Sequence, residues 1–284
     1  MRHAICNEIF EGWTFPAAAK AIRAAGYEGI EIAPFTLAES PAKISVEQRR
    51  QVRSIIDSEG LKFVGLHWLM VSPQGLHVTT PDRDLRERSW RHIRELIDLA
   101  ADLGPGGPQD SGVAGPILVF GSPKQRSTID GATVAEATAR FVEGLADVAG
   151  HALERHVTIL VEALPLNQSN IVTSLEQAAA IVRQIASPAI RTMFDTHNAV
   201  DETEPHAALV EKYFNFIRHV HVNEIDGKHP GMGEYDFKPV LATLRRLNYQ
   251  RWVSLEAFDF SFGAERIARE SIEYLNEEMG RLAA

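Results

Sequence analysis

The chain of 284 residues is almost without cysteine, Cys6 being the only one. An intrachain disulfide is thereby excluded, and so is a zinc site built from several thiolates. Basic charge is scarce as well: 29 Lys and Arg stand against 38 Asp and Glu, a net charge of -9. That balance argues against a general nucleic-acid binder, which needs a basic face to neutralise phosphates. No run approaches the ~18 apolar residues of a membrane span, and the opening MRHAICNEIFEGW lacks the continuous apolar core of a secretory signal. Short repeats, long charge blocks and an interdomain linker are also missing. With 45% hydrophobic and 24% charged residues, the expectation is a cytoplasmic, soluble protein forming one domain over residues 1–284, without nucleic-acid or membrane partners.

What is present is a rhythm. Eight short apolar or β-branched runs recur: HAIC, GIEI, KFVGL, ILVF, VTILV, RTMF, HVHV and WVSL. Between them lie stretches with helical spacing, such as Leu85, Ile93, Leu96, Ile97, Ala100 and Leu103, whose steps of three and four put them on one face. Ser45 with Gln48 and Ser174 with Gln177 fit capping boxes, while Gly60 and Gly104 stand where helices should end. Eight strand–helix alternations predict an α/β fold, a (β/α)8 TIM barrel, with an open doubly wound sheet as the rival. The Gly- and Pro-dense segment GPGGPQDSGVAGP, residues 104–116, reads as a helix-to-strand loop on the face remote from the chemistry.

In such a barrel the reactive groups stand at the C-terminal ends of the strands. The fifth run leads into Glu162, the sixth into Asp195, the seventh carries His219 and His221, and the eighth ends at Glu256. Each alone has a plain structural explanation as a cap, a solvated rim residue or a packed histidine. Four on consecutive strands do not share one. Three carboxylates meeting at a barrel mouth repel one another unless a cation lies between them. Oxygen ligands with one imidazole suit a divalent metal, and the lack of thiolates removes the strongest bias toward zinc. His219 and His221 point to the same face, and His221, nearer the strand end, is the better ligand.

The quartet Glu162, Asp195, His221 and Glu256 resembles the metal-binding set of the ketose 3-epimerases, within the xylose isomerase-like barrels. GYEGIEI at the second strand, GLHW at the third, FDTHN at the sixth and HVHVNEIDGKHPGMGEYDF at the seventh extend the resemblance over nearly the whole chain. It implies one divalent ion, Mn²⁺ first, with Co²⁺, Mg²⁺ or Zn²⁺ as alternatives. It also implies a sugar substrate, a homo-oligomer (dimer or tetramer), and catalysis by Glu162 and Glu256 on opposite faces of an enediolate. The sequence departs from the pattern in three places. Gln168, preceded by Asn167, stands where the family has a substrate-contacting Glu. Asp195-Thr196-His197-Asn198 replaces Asp-x-x-His, leaving His197 or Asn198 for that histidine's role. The expected arginine falls on Gly227, with Lys228 next.

Further substrate contacts are expected from His67 and Glu8, and more weakly from Trp13, Trp68 and Glu31, which also reads as a solvated rim residue. Ser122, Lys124 and Arg126 suit a phosphate, or simple exposure on a βα loop. Besides an epimerase or isomerase, three alternatives stand. The first is a metal-dependent dehydratase or lyase of keto-sugars or inososes. The second is a phosphodiesterase like endonuclease IV, which needs several more histidine ligands and is disfavoured by the net charge and by the presence of only one convincing imidazole ligand. The third is a sugar-binding module without catalysis.

Overall fold

A computed structural model describes residues 1–104 and 115–282. Eight strands run in parallel: β1 (Arg2–Cys6), β2 (Gly29–Ile32), β3 (Lys62–Leu66), β4 (Ile117–Phe120), β5 (Thr158–Val161), β6 (Ile190–Asp195), β7 (Ile217–Val222) and β8 (Trp252–Leu255). Each pairs with its neighbour in sequence, and β8 pairs with β1, so the sheet closes into a barrel. This excludes the open doubly wound sheet. Every one of the eight apolar runs is a strand, because a parallel strand covered on both faces favours a short continuous apolar stretch over alternation.

The helices around the barrel are α1 (Phe15–Ala25), α2 (Val46–Ser58), α3 (Arg83–Leu103), α4 (Pro123–Arg126), α5 (Val134–Glu154), α6 (Leu175–Ile185), α7 (His206–Tyr213), α8 (Lys238–Arg246) and α9 (Ala264–Arg281). Ser45 and Gln48 exchange both bonds of a capping box at the start of α2. Thr133 and Glu136 do the same at α5. At α6 the box is incomplete: Ser174 accepts from the Gln177 N–H, but the Gln177 side chain takes the N–H of Thr173 instead. Gly60 follows α2 with φ +71, and Gly104 caps α3 in an extended conformation. Of the predicted 104–116 loop, residues 105–114 lie outside the described residues. Among the described residues, no helix is long and apolar enough to cross a membrane.

The apolar face of α3 buries Ile93, Leu96, Ile97, Ala100 and Leu103 in the main core between helices and sheet. A smaller cluster joins Ala4, Val64, Ile117, Val119, Leu160 and Met193, with Trp252 packed against it. Strand alternation places Ala4 and Cys6 on one side of β1 and Ile5 on the other, so this second cluster fills the barrel interior. Toward the strand C-termini the interior changes character: Cys6, Glu31, His219, His221 and Ser254 are all buried there. Two register irregularities accompany the change. One lies between Ile30 and Glu31 on β2, and the other pairs Thr192–Phe194 of β6 with Ile217–Val220 of β7, the stretch that holds His219. Bulges of this kind re-aim side chains near sites.

Candidate metal centre and active site

Glu162, Asp195, His221 and Glu256 are delivered to one spot by four consecutive strands. Asp195 and His221 are direct partners across β6 and β7. Each of the four offers an atom that lies within 4.8 Å of the others, and all four residues are buried. The local sequence aims them. Asp195 Oδ1 accepts the backbone N–H groups of His197 (2.7 Å) and Asn198 (2.9 Å), which locks the turn after β6. Its Oδ2 is left buried without a hydrogen-bond partner, 3.6 Å from His221 Nδ1. Glu162 Oε1 accepts from the Asn198 side chain at 3.1 Å, and Gly121 leaves room beside its other oxygen, where an added Cβ would come within 2.2 Å. Glu256 Oε2 lies 3.0 Å from His221 Nδ1.

The electrostatics show a site short of positive charge. Burial pushes the Glu162 carboxyl up to about 8, and the charges of Asp195 and Glu256 add to the effect. Burial also raises Glu256, against the opposing charge of His221. Three carboxylates, one imidazole and an orphaned carboxylate oxygen fit a divalent cation with oxygen and nitrogen ligands. Two further groupings of possible ligand atoms, Cys6 with Glu8, His67 and Glu256, and Cys6 with Glu31 and His221, adjoin this set. Burial pushes the Cys6 thiol up to about 12, which leaves it a poor ligand.

Above the quartet opens a cavity of about 660 Å³, which Glu162 and Glu256 both line. His67, His197, Asn198, Asn167 and Gln168 share the wall. His197 Nδ1 donates to the Glu224 carbonyl at 3.1 Å, leaving Nε2 as an acceptor. Both readings of the DTHN segment thus have a place: His197 on the wall, Asn198 holding Glu162. Glu8 bonds His67 Nε2 at 2.7 Å and lines a neighbouring cavity of about 540 Å³ together with Trp13 and Trp68. The two cavities share Trp68, Val71 and Phe258.

Other candidates are placed differently. Lys228 is not on the wall of the quartet's cavity; its ammonium pairs with Asp226 at 2.6 Å. Glu31, read as a possible solvated rim residue, is fully buried between His219 and His221. Ser122 and Lys124 do line the cavity, but Arg126 is unavailable to a phosphate. It is fully buried and donates to the carbonyls of Phe120 (2.8 Å) and Glu162 (2.7 Å), tying the ends of β4 and β5 together. Replacing Arg126 by Met should therefore destabilise the fold by about 3 kcal/mol, since two carbonyls lose a charged donor. Urea unfolding measures this, and an unchanged midpoint would show that the two bonds contribute nothing net.

A model of the xylose isomerase-like TIM barrel family matches residues 19–278. The chain is similar to a D-psicose 3-epimerase of Enterocloster bolteae, 29% identical over 145 residues, 49% of this chain; the match spans 48%, about half, of that relative's length. A probable ketose 3-epimerase of Synechocystis sp. is 23% identical, with 83% of this chain and 75% of that protein covered. In fold, the chain resembles the crystal structure of D-psicose 3-epimerase with D-tagatose from Clostridium cellulolyticum H10, at a TM-score of 0.83, 16% identity, and coverage of 98% and 99% of the two chains. By its closed parallel barrel and by the extent of the family match, the chain belongs to the xylose isomerase-like TIM barrel family.

Proposed function

We propose that the protein is a divalent-metal-dependent sugar epimerase acting on a ketose or keto-sugar through an enediolate, with inversion beside the carbonyl (3-epimerisation) as its reaction. The observation that carries this reading is the pairing of Glu162 and Glu256. They come from separate strands, border one cavity, and converge on the same buried histidine and aspartate. The names of the similar proteins, several of them ketose 3-epimerases, support the same class.

Glu162, Asp195, His221 and Glu256 would hold the ion, which when bound would neutralise negative charge developing on the two neighbouring sugar oxygens. One glutamate removes the proton from the carbon beside the carbonyl. The other returns a proton to the opposite face, and the roles exchange in the reverse reaction. His197, Asn167 and Gln168, on the cavity wall, would bond hydroxyls and orient the sugar.

A second reading, elimination of a β-hydroxyl by a keto-sugar dehydratase or lyase, shares the first proton transfer. Its favouring observations are Gln168 in place of the family's glutamate and the turning of Lys228 to Asp226, which together leave the cavity without two charges the resemblance implies. Incubating a panel of ketoses in D₂O with Mn²⁺ separates the cases. Deuterium at the carbon beside the carbonyl with an epimeric product is the expected result. An unsaturated or dehydrated product would favour the second reading, and no exchange with any ketose would count against both.

A further inference from the structure

We infer that Glu31 is a positioning residue: it holds the Nε2–H of His221 and so presents Nδ1 of that ring to Asp195, Glu162 and Glu256. The inference rests on the metal reading above and adds to it a residue outside the quartet. Glu31 lies on β2, 190 residues from His221 in sequence, yet its Oε1 is 3.0 Å from His221 Nε2. Its Oε2 is 2.9 Å from His219 Nε2. The carboxylate is fully buried, and both of its oxygens are engaged by the two imidazoles.

An ionised carboxylate only accepts hydrogen bonds, so both rings must offer it an N–H. For His221 that choice settles which nitrogen remains for a ligand role. With Nε2 committed to Glu31, Nδ1 stands 3.0 Å from Glu256 Oε2 and 3.6 Å from Asp195 Oδ2, on the side where the carboxylates meet. The nitrogen not used for a metal is commonly held by a carboxylate or carbonyl in this way, which sets ring orientation and tautomer together.

A buried carboxylate kept only as filler would be unfavourable, because desolvation is repaid only through close partners. Glu31 has three: His219, His221 and, at 3.7 Å, Nδ1 of His67. The register irregularities fall beside Glu31 and in the stretch holding His219.

Glu31→Gln tests the inference. An amide can accept from one ring only and must offer its NH₂ to the other, so the bridge cannot be rebuilt. The expected result is Mn²⁺ affinity lower by about 10- to 100-fold in a protein with native circular dichroism. Native Mn²⁺ affinity in Glu31→Gln would overturn it. His221→Ala, measured alongside, keeps the two readings apart: if that variant also binds Mn²⁺ natively, the metal assignment itself fails; if only Glu31→Gln does, the positioning role alone fails. A measurement on the unaltered protein stands even where Glu31→Gln misfolds. Histidine ¹⁵N–¹H correlation spectra with Zn²⁺ bound, the His221 signals identified by their loss in His221→Ala, should show the proton on Nε2. A proton on Nδ1 overturns the inference.

Discussion

Glu162→Gln and Glu256→Gln should each lower epimerisation by about 100-fold or more in protein supplied with Mn²⁺. The substitution preserves size and one oxygen that can still face the cation, but removes the group able to take or return a proton. Glu162 extends from the end of β5 and Glu256 from the end of β8, with Asp195 and His221 on the strands between them. The two glutamates therefore reach the cavity from either end of the quartet, and only they among the four line its wall. Inversion needs a proton removed from one face and delivered to the other, so neither glutamate can replace its partner. One variant should still exchange the substrate proton with D₂O without inverting the centre, because the surviving carboxylate can remove and return a proton on its own face. Native rates of epimerisation in both metal-loaded variants would eliminate the two-carboxylate mechanism.

Mn²⁺ should also stabilise the protein in the absence of any sugar, and Asp195→Asn should weaken that effect. At a hundredfold excess over Kd, a ligand bound only by the native state adds about 2.7 kcal/mol. Asp195 is the informative position. Its Oδ1 holds the turn through His197 and Asn198, a duty that an asparagine oxygen can keep, whereas its unpartnered Oδ2 would become an NH₂ that cannot bind a cation. The variant should fold and yet need much more Mn²⁺ for the same rise in Tm. Chelation of the native protein with EDTA should remove both the stabilisation and the exchange reaction. An Asn variant stabilised by Mn²⁺ as strongly as the native chain would remove Asp195 from the ligand set.

Strand order and the convergence of Glu162, Asp195, His221 and Glu256 were legible in the sequence for one physical reason. A parallel barrel makes each βα unit repeat the same local pattern, apolar run then polar rim, so the residue after each strand has a known destination before any contact is known. The capping box at Ser45 is local in the same sense, decided within one turn of chain, whereas the one expected at Ser174 is only half formed because Gln177 accepts from Thr173 instead. His219 lying beneath His221 follows likewise from strand alternation. Lys228 went elsewhere because its nearest partner, Asp226, is only two residues away. A short-range pairing of that kind competes with any outward reach, and sequence position alone does not say which contact forms.

By itself, the sequence determined the class of fold, the impossibility of an intrachain disulfide, and which four strand ends bring three carboxylates and an imidazole together. These follow from composition and from periodicity, which act over a few residues. Tertiary structure alone decided the rest. Arg126 reads as one more charged residue on a loop until closure of β4 against β5 places two carbonyls around its guanidinium. Glu31 reads as a rim residue until the sheet joins β8 to β1 and brings β2 to within three strands of β7, where its carboxylate meets two histidines. Ionisable groups are buried where partners satisfy them, and partners nearly two hundred residues apart are chosen by closure of the barrel rather than by the pattern of the chain around either one.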